Sequence, residues 1–428
     1  MLGPLDAARR RQLPTPPAVL PAGIGSVAQL AARPGVAEAL KFFAQERRWI
    51  DEQHLALCRI AAPTFLEQKR AEWMAQQFEA LGWDAQLDRA GNVVALPPGA
   101  ARGGPLVALT AHLDTVLAPR SESEIRVDKD RFLGPGVADN GAGLAALLAL
   151  ARVLGRSGHG LDVSRLVLVS NVGEEGEGNL SGMRYLCQNS PLAGRLRTVV
   201  VLDGPDTSHV TAEALACRRF EVMVSGPGGH SWSDHGAANP IHALARAVTW
   251  FGDARAEEAA RQRPCSWNFG VIEGGSTVNA IPTTARVKVD LRAESASDLE
   301  ELVSSLSSTL ERALLLENER ARTGRVTARL KETGSRPGGR LPESSAVLNY
   351  VRAVDKELGI QATLDCASTD ANIPLSMGLP AISVGAGGQG GGAHTPGEWF
   401  SPQGRDLGLR RILLLAALLL AEVDQGGE

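Results

Sequence analysis

Two adjacent glutamates, Glu174 and Glu175, lie between glycines in the segment NVGEEG. The apolar residues 166–170 precede them and predict a buried strand that ends beside the pair. Burying two carboxylates costs free energy unless a cation or a reactive group offsets it. Because neighbouring side chains of an extended chain point to opposite sides, one carboxylate can bind a metal while the other faces a substrate as a base.

A histidine and an aspartate, His112 and Asp114, follow the predicted strand of residues 106–110. A neutral imidazole is a good metal ligand. Asp114 lies on the same side of an extended chain, where its carboxylate would accept the other ring N–H and fix the tautomer. For an isolated pair, a core histidine with a carboxylate partner is the simpler interpretation. The pair becomes informative because similar segments occur elsewhere in the chain.

Three further segments each carry one polar residue of this kind. Asp139 lies in the turn GPGVADNG before an alanine-rich predicted helix, either as its N-cap or as a carboxylate that bridges two cations. Asp203 ends the apolar strand in VVVLDG, and His394 lies in GGAHTPGEW after the glycine-rich residues 385–392. That loop has no P-loop lysine and no strand–GxGxxG–helix order, so nucleotide binding is a weak alternative.

Together these segments place two histidines and several carboxylates at the C-terminal ends of predicted strands. Open α/β sheets build their sites at that edge. A ligand set of nitrogen and oxygen without cysteine suits a catalytic zinc pair better than a structural zinc. Two such cations would lie roughly 3.5–4 Å apart.

The composition limits the class of protein. The length of 428 residues favours two domains, and 44% apolar with 21% charged residues is typical of a soluble globular protein. A net charge of −4 gives no basic footprint for nucleic acid. The apolar residues 412–423 are too few to span a membrane. Five scattered cysteines and the lack of a signal-like apolar run in residues 1–35 predict a cytoplasmic protein.

The pattern along the chain predicts an inserted domain. Residues 1–35 read as an irregular extension, whereas residues 36–211 and 333–428 alternate buried strands and helices, which predicts an α/β sandwich with a largely parallel sheet. Residues 212–332 follow the order strand, helix, strand, strand, helix, strand of a ferredoxin-like α+β unit. Residues 334–339 are rich in proline and glycine and predict a linker back to the first domain.

The motifs HLDTV, GVADNGAG, NVGEEGEG, VLDGPD and GGAHTPGEW, in this order, resemble those of the co-catalytic zinc exopeptidases and deacylases. This family includes peptidase T, aminoacylase, acetylornithine deacetylase and succinyl-diaminopimelate desuccinylase. The resemblance covers nearly the whole chain from about residue 36 and includes the insertion. It implies a zinc-exopeptidase-like α/β/α sandwich with an inserted lid and dimerisation domain, and two Zn²⁺ per chain that Co²⁺ or Mn²⁺ can replace.

The resemblance also implies a division of the metal ligands. His112 and Asp203 would hold one zinc, Glu175 and His394 would hold the other, and Asp139 would bridge the two. A cis peptide bond would precede Asn140.

Further residues acquire roles from the same resemblance. Glu174 would be the general base, and Asp114 would orient His112. In the inserted domain His230, within GPGGHS, would reach the active site of the partner subunit and stabilise the oxyanion. Asn279 and Arg292 would grip the substrate, although Arg292 also fits the polar face of an exposed strand.

The expected activity is hydrolysis of an amide bond in small peptides by a homodimer joined through the lid domain. Asp370 lies in a segment that aligns with a motif near the substrate pocket, but Cys366 replaces an arginine found in peptidase T, which disfavours true tripeptidase specificity. Asp203 stands where many deacylases carry glutamate and so favours peptides. The alternatives are an N-acyl-amino-acid deacylase and a catalytically silent peptide-binding relative.

Overall fold

Two units make up the chain in the computed structural model, which describes residues 11–12, 19–155, 160–259 and 265–425. The first unit comprises Met1–Ala214 and Gly339–Glu428, and the second is the insertion Leu215–Gly338. The insertion begins and ends a few residues later than the predicted residues 212–332, because its last strand continues further than its apolar pattern indicates.

The elements are numbered here in chain order. The helices are α1 (Val27–Ala31), α2 (Pro34–Gln45), α3 (Arg47–Arg59), α4 (Gln68–Ala80), α5 (Gly141–Leu154), α6 (Ser181–Gln188), α7 (Pro240–Ala259), α8 (Ala296–Arg320), α9 (Ala346–Leu358), α10 (Asn372–Ser376) and α11 (Arg405–Gln425). The strands are β1 (Arg11–Gln12), β2 (Asp84–Leu87), β3 (Val93–Leu96), β4 (Leu106–His112), β5 (Arg126–Asp128), β6 (Arg131–Leu133), β7 (Leu166–Asn171), β8 (Leu196–Leu202), β9 (His209–Ala214), β10 (Ala216–Ser225), β11 (Gly229–His230), β12 (Cys265–Gly274), β13 (Ala280–Ile281), β14 (Thr284–Ala293), β15 (Thr327–Arg336), β16 (Gly339–Arg340), β17 (Thr363–Ala367), β18 (Ala381–Val384), β19 (Gln389–Gly391) and β20 (Trp399–Ser401).

The first unit is built on a mixed sheet in the order β1-β17-β9-β18-β8-β4-β7-β3-β2, with β16 paired to β9. Its four central strands, β18, β8, β4 and β7, are parallel. The sheet as a whole is mixed and not largely parallel as predicted: β17 and β9 also pair in parallel, but β18 with β9, β2 with β3 and β3 with β7 are antiparallel. The outer strand β3 buries alternate residues, whereas the central strands are buried throughout, so only the central runs carry the parallel signature.

The register of the central strands brings the chemistry-bearing residues to one edge. His112 pairs with Asn171 across β4 and β7, and Glu174 follows three residues after Asn171. Thr110 pairs with Val201 across β4 and β8, so His112 and Asp203 each lie two residues beyond that pair. Because these strands are parallel, their C-terminal ends present the predicted ligands side by side.

The predicted N-terminal extension is helical at its end. Residues 1–10 and 13–18 of that extension lie outside the described residues. The prediction of an irregular segment is wrong for α1, because Ser26 caps it by accepting a hydrogen bond from the Gln29 amide (3.1 Å) and Val27 and Leu30 are buried. A single turn of helix stabilised by core contacts carries too short an apolar pattern to stand out among prolines.

The second unit has the predicted βαββαβ order, with a four-stranded antiparallel sheet β12-β14-β10-β15 and the helices α7 and α8. Strand β14 buries alternate residues, and α8 buries leucines at helical spacing. The predicted linker at residues 334–339 is wrong in part. Strand β15 extends into it as far as Arg336, which pairs with Cys217 of β10.

Candidate metal centre and active site

The structure brings the five predicted metal ligands together. Nε2 of His112 lies 3.1 Å from Oδ1 of Asp139 and 3.8 Å from Oδ1 of Asp203. Nε2 of His394 lies 3.0 Å from Oδ2 of Asp139 and 2.9 Å from Oε1 of Glu175. The Asp139 carboxylate therefore lies between two histidines, and each histidine has a second carboxylate beside it.

The His112 ring is oriented by a main-chain group. Its Nδ1 lies 2.9 Å from the carbonyl oxygen of Asp114, whereas the nearer carboxylate oxygen of Asp114 is 3.6 Å away. The prediction that the Asp114 carboxylate accepts the ring N–H is therefore corrected. The carbonyl accepts from Nδ1–H, and Nε2 is the ring nitrogen that faces Asp139.

The Asp114 carboxylate instead fixes the loop that carries the two glutamates. Its Oδ1 accepts a hydrogen bond from the amide of Glu174 and its Oδ2 one from the amide of Glu175, both at 2.9 Å. The hydroxyl of Thr64 also donates to Oδ2 at 2.9 Å. Asp114 is completely buried, so this double anchor determines where the base candidate Glu174 and the ligand candidate Glu175 lie.

The loop of Asp139 is held by Glu398, a residue to which the sequence assigned no role. The Glu398 carboxylate accepts hydrogen bonds from the amides of Gly136 (2.8 Å), Ala138 (2.8 Å) and Asp139 (2.9 Å). Glu398 is buried and lies four residues after His394. That short spacing within GGAHTPGEW was the one signal that connects it to the site.

The helix after Asp139 is capped by the next residue. The side-chain oxygen of Asn140 accepts from the Gly143 amide (3.0 Å), and its amide donates to the Leu202 carbonyl (2.8 Å). A cis peptide bond joins Asp139 to Asn140. A Cβ at Gly143 would lie 2.5 Å from the Leu202 carbonyl oxygen, so this approach of α5 to β8 requires glycine. Because Asn140 is the cap, the Asp139 carboxylate remains available to the histidines.

The electrostatics of the cluster favour positive charge. Hydrogen bonds to Asp139 and Glu175 raise the pKa of His394 to about 10. Burial opposes protonation of His112, but the neighbouring carboxylates of Asp114, Asp139 and Asp203 raise its pKa well above the ordinary value. Burial likewise opposes ionisation of Asp139, yet its bonds to the two histidines lower its pKa.

The donor atoms fit divalent cations. The ligand atoms of His112, Asp139 and Glu175 all lie within 4.8 Å of one another. All five candidate ligands offer nitrogen or oxygen, as catalytic zinc sites require. The shared Asp139 carboxylate gives the cluster two halves, each with one histidine and one further carboxylate.

Asp370 does not line a substrate surface, which corrects its predicted role. Its side chain is fully buried, and Oδ2 accepts a hydrogen bond from the amide of Asn171 at 2.6 Å. Burial, together with the carboxylates of Asp203 and Asp114, raises the pKa of Asp370 to about 7. Asp370 thus holds the side chain of Asn171, which pairs with His112 across β4 and β7.

The lid residues fall into two places within the second unit. His230 and Asn279 lie close together, because His230 pairs with Ala280 across β11 and β13 and the Ser231 amide donates to the Asn279 carbonyl at 3.0 Å. Nδ1 of His230 accepts from the Trp232 amide at 3.2 Å, so the neutral ring carries its proton on Nε2.

Arg292 lies elsewhere in that unit. Thr284 begins β14 shortly after Asn279, whereas Arg292 lies near the C-terminal end of the strand. A strand rises roughly 3.4 Å per residue, so the length of β14 separates the two positions. Its Nε donates to Oδ2 of Asp290 at 2.6 Å. The structure therefore does not bring Arg292 together with His230 and Asn279.

A buried histidine that the sequence did not single out supports the Asp139 loop. Nε2 of His54 lies 2.7 Å from the Val137 carbonyl, and Nδ1 accepts from Arg405 at 2.8 Å. Burial, and then the charge of Arg405, hold the pKa of His54 well below its ordinary value. His54 is therefore neutral in the folded chain, with Nε2–H donating to the loop.

This buried histidine predicts a loss of stability in acid. An unfolded chain binds a proton at His54 below about pH 6.5, whereas the folded chain does not, so the free energy of unfolding falls as pH decreases through that value. At pH 5.5 the expected loss from this one group is about 1.4 kcal/mol. Denaturant unfolding of the metal-free protein at pH 7.5 and 5.5 measures it, and His54→Gln should show a smaller pH dependence. An equal dependence in both proteins would contradict the assignment.

Comparison with known proteins finds similarity to peptidases over parts of the chain. Residues 92–224 match peptidase family M28, and residues 217–316 match the peptidase dimerisation domain. A probable carboxypeptidase of Aspergillus terreus is 30% identical over 213 residues, covering 47% of each chain. A succinyl-diaminopimelate desuccinylase of Bordetella parapertussis is 24% identical over 252 residues, covering 56% of this chain and 66% of the relative.

A solved structure extends the likeness to the fold of the whole chain. A tripeptidase from Staphylococcus aureus has a TM-score of 0.66 at 20% identity, covering 87% of this chain and 98% of the other. The chain spans about half the length of the carboxypeptidase relatives, 47% and 48% of their residues. These matches agree with the resemblance that the motifs carry to the co-catalytic zinc exopeptidases and deacylases. Among the described residues, no helix has the length and apolar character needed to cross a membrane.

Proposed function

We propose that this protein is a two-metal hydrolase that cleaves an amide bond in small peptides. The observation that carries the proposal is the position of Asp139 between His112 and His394, next to a glutamate pair anchored by Asp114. Zinc is the expected metal, because the ligands are all nitrogen and oxygen and none is cysteine. Cobalt or manganese should be able to replace it.

The base is Glu174. Two divalent cations, when bound, supply Lewis-acid activation of the scissile carbonyl and lower the pKa of the attacking water. The Glu174 carboxylate accepts the proton of that water and later delivers it to the leaving amine. The Asp114 anchor keeps its main chain in place, and burial at 5% exposure excludes competing water. Its neighbour Glu175 is turned to His394.

The lid histidine is the proposed oxyanion donor. His230 is exposed, and its Nδ1 is occupied by a main-chain amide, so Nε2–H is the donor that the ring offers to a ligand. A positioned N–H donor of this kind stabilises the negative charge of a tetrahedral intermediate. Asn279, which directly precedes the paired strand β13, is proposed to contact the substrate in the same complex.

Two substrate classes fit an amide hydrolase of this family. Similarity to a carboxypeptidase and a tripeptidase favours peptides, whereas similarity to a desuccinylase favours N-acyl amino acids. Mass spectrometry of the zinc-loaded protein with dipeptides, tripeptides and N-acyl amino acids distinguishes them. Turnover of none of the three classes would leave the silent peptide-binding relative as the better account. Five cysteines without a disulfide are consistent with the proposed cytoplasmic location.

A homodimer through the lid domain is part of the proposal. The dimerisation-domain match covers most of the second unit. Strand β12 forms an edge of its sheet and exposes Ile272 and Val271, and an exposed apolar edge strand is suited to pair with a second chain. Closed two-fold symmetry would then repeat the same edge on both subunits.

Mixing two inactive variants tests whether His230 acts in the partner's site. Glu174→Gln lacks the base and His230→Ala lacks the oxyanion donor. After full exchange about half of the dimers are hybrids, and each hybrid holds one of its two sites with both groups intact. About a quarter of wild-type activity should therefore return. Activity is measured after subunit exchange, which fluorescence transfer between labelled chains verifies. No recovery despite exchange would place His230 in its own chain's site or outside catalysis.

A further inference from the structure

We propose that an apolar rim, defined as Phe65, Leu66, Val116 and Leu117, binds an apolar side chain of the substrate next to the cleaved bond. The inference rests on the proposed function and gives it a substrate class: peptides or N-acyl amino acids with an aliphatic or aromatic residue at that bond.

The rim is exposed, in contrast to the buried apolar side chains of the central sheet. The exposed fractions are 65% for Phe65, 68% for Leu66, 43% for Val116 and 37% for Leu117. Large apolar side chains that are exposed together, beside polar groups, are characteristic of a binding surface. The two pairs belong to neighbouring segments, since Pro63 and Thr115 form a parallel β-bridge.

Hydrogen bonds join the rim to the loop of the base. The residue before Phe65, Thr64, donates to the Asp114 carboxylate at 2.9 Å, and that carboxylate also holds the amide of Glu174. The residue after Leu66, Glu67, accepts from the Gly173 amide at 3.1 Å. Phe65 and Leu66 thus lie between Thr64 and Glu67. Thr64 reaches the loop of Glu174 through Asp114, and Glu67 bonds to that loop directly. The rim is therefore joined to the segment of Glu174, where the substrate would be cleaved.

The backbone of Phe65 supports a role for its side chain. Its φ of 74° lies in the left-handed region, which is strained for a bulky residue and favourable for glycine. A large aromatic side chain is present here against the preference of its own backbone. Such outliers point to function when the side chain is not needed for packing, and the Phe65 side chain is mostly exposed.

An apolar side chain of the substrate is the occupant that the surroundings favour. The four rim side chains carry no charge, and the carboxylates nearest to them along the chain are those of Glu67 and Asp114, which accept hydrogen bonds from main-chain amides. These carboxylates disfavour an acidic substrate residue, and the rim gives no hydrogen-bond partner to a polar one. Burial of a leucine side chain against such a surface removes apolar area from water.

The test compares ligands that differ in polarity but hardly in shape. Binding of leucyl-glycine, glycyl-leucine, asparaginyl-glycine and glycyl-asparagine to the zinc-loaded Glu174→Gln protein is measured by isothermal titration calorimetry. In at least one pair, leucine should bind about 10- to 100-fold more tightly than asparagine. In Phe65→Ser with Leu66→Ser this preference should fall to about 3-fold or less. Leu87→Ser changes an exposed leucine of β2 that is not part of the rim, and this variant should keep the preference.

A second variant guards against a folding defect. Phe65→Gly fits the local backbone, so its Tm should not fall below that of the parent protein while the leucine preference decreases. Equal binding of leucine and asparagine ligands by the parent, or an undiminished preference in both rim variants, would overturn the proposal. Hydrolysis is assayed separately with the wild-type chain. A protein that prefers leucine ligands but cleaves nothing would contradict the proposed function but not the binding role of the rim.

Discussion

Glu174→Gln is expected to lower kcat by at least ~10²-fold while the metal content stays the same. Glutamine keeps the size of the side chain and the main-chain bond to Asp114, but it cannot accept the proton of the attacking water. The candidate ligand Glu175 and its contact with His394 remain. Steady-state kinetics and metal analysis on the same sample measure the two effects.

A control in the same loop separates charge from position. Glu177 is exposed and lies outside the ligand cluster, so Glu177→Gln should leave kcat within about 2-fold of the wild type, as is usual for surface substitutions. Near-normal turnover by Glu174→Gln would assign the base to another residue.

Metal removal is expected to have the larger effect. Chelation should reduce activity by at least ~10³-fold, since the cations contribute several kcal/mol of charge stabilisation and each 1.36 kcal/mol is a factor of ten. Zinc, cobalt or manganese should restore it. Asp114, Glu398 and Asn140 hold the site through main-chain bonds that do not depend on metal, so the metal-free chain should remain folded.

Single ligand substitutions refine this prediction. His112→Ala and His394→Ala should each weaken the binding of one ion, because each histidine contacts a different oxygen of Asp139. His209→Ala, in the same unit but outside the cluster, should bind metal as the wild type does. Hydrolysis by a protein shown to be free of metal would contradict the mechanism.

Strand ends were predictable from the sequence because the central strands are continuous apolar runs. In a parallel sheet the residue that follows each run must reach the same edge, which places His112, Glu175 and Asp203 together. Helix α5 forms where the alanine-rich run after Asp139 predicts it, since its alanines and leucines are buried all round. The inserted unit was equally visible from the alternation in β14.

The supporting contacts were not predictable, because they depend on three-dimensional geometry at distant positions. The anchor from Glu398 to the Ala138 amide joins residues 260 positions apart. His54 contacts Val137 from a different helix, and no spacing in the sequence connects them. Asp114 and Asp370 were recognised as polar residues near the site, but sequence gave no means to tell which of their atoms would bond or that Asp370 would be fully buried.

Metal stoichiometry is the most direct test of the central claim that Asp139 joins two metal sites. Wild-type protein and Asp139→Ala are dialysed against zinc-free buffer after loading, and bound zinc per chain is measured by plasma mass spectrometry. We expect about two zinc ions per chain in the wild type, as in co-catalytic sites. We expect fewer than about one in Asp139→Ala, because both ions lose a shared ligand. Two retained ions in Asp139→Ala, or full wild-type activity with a single ion, would contradict it.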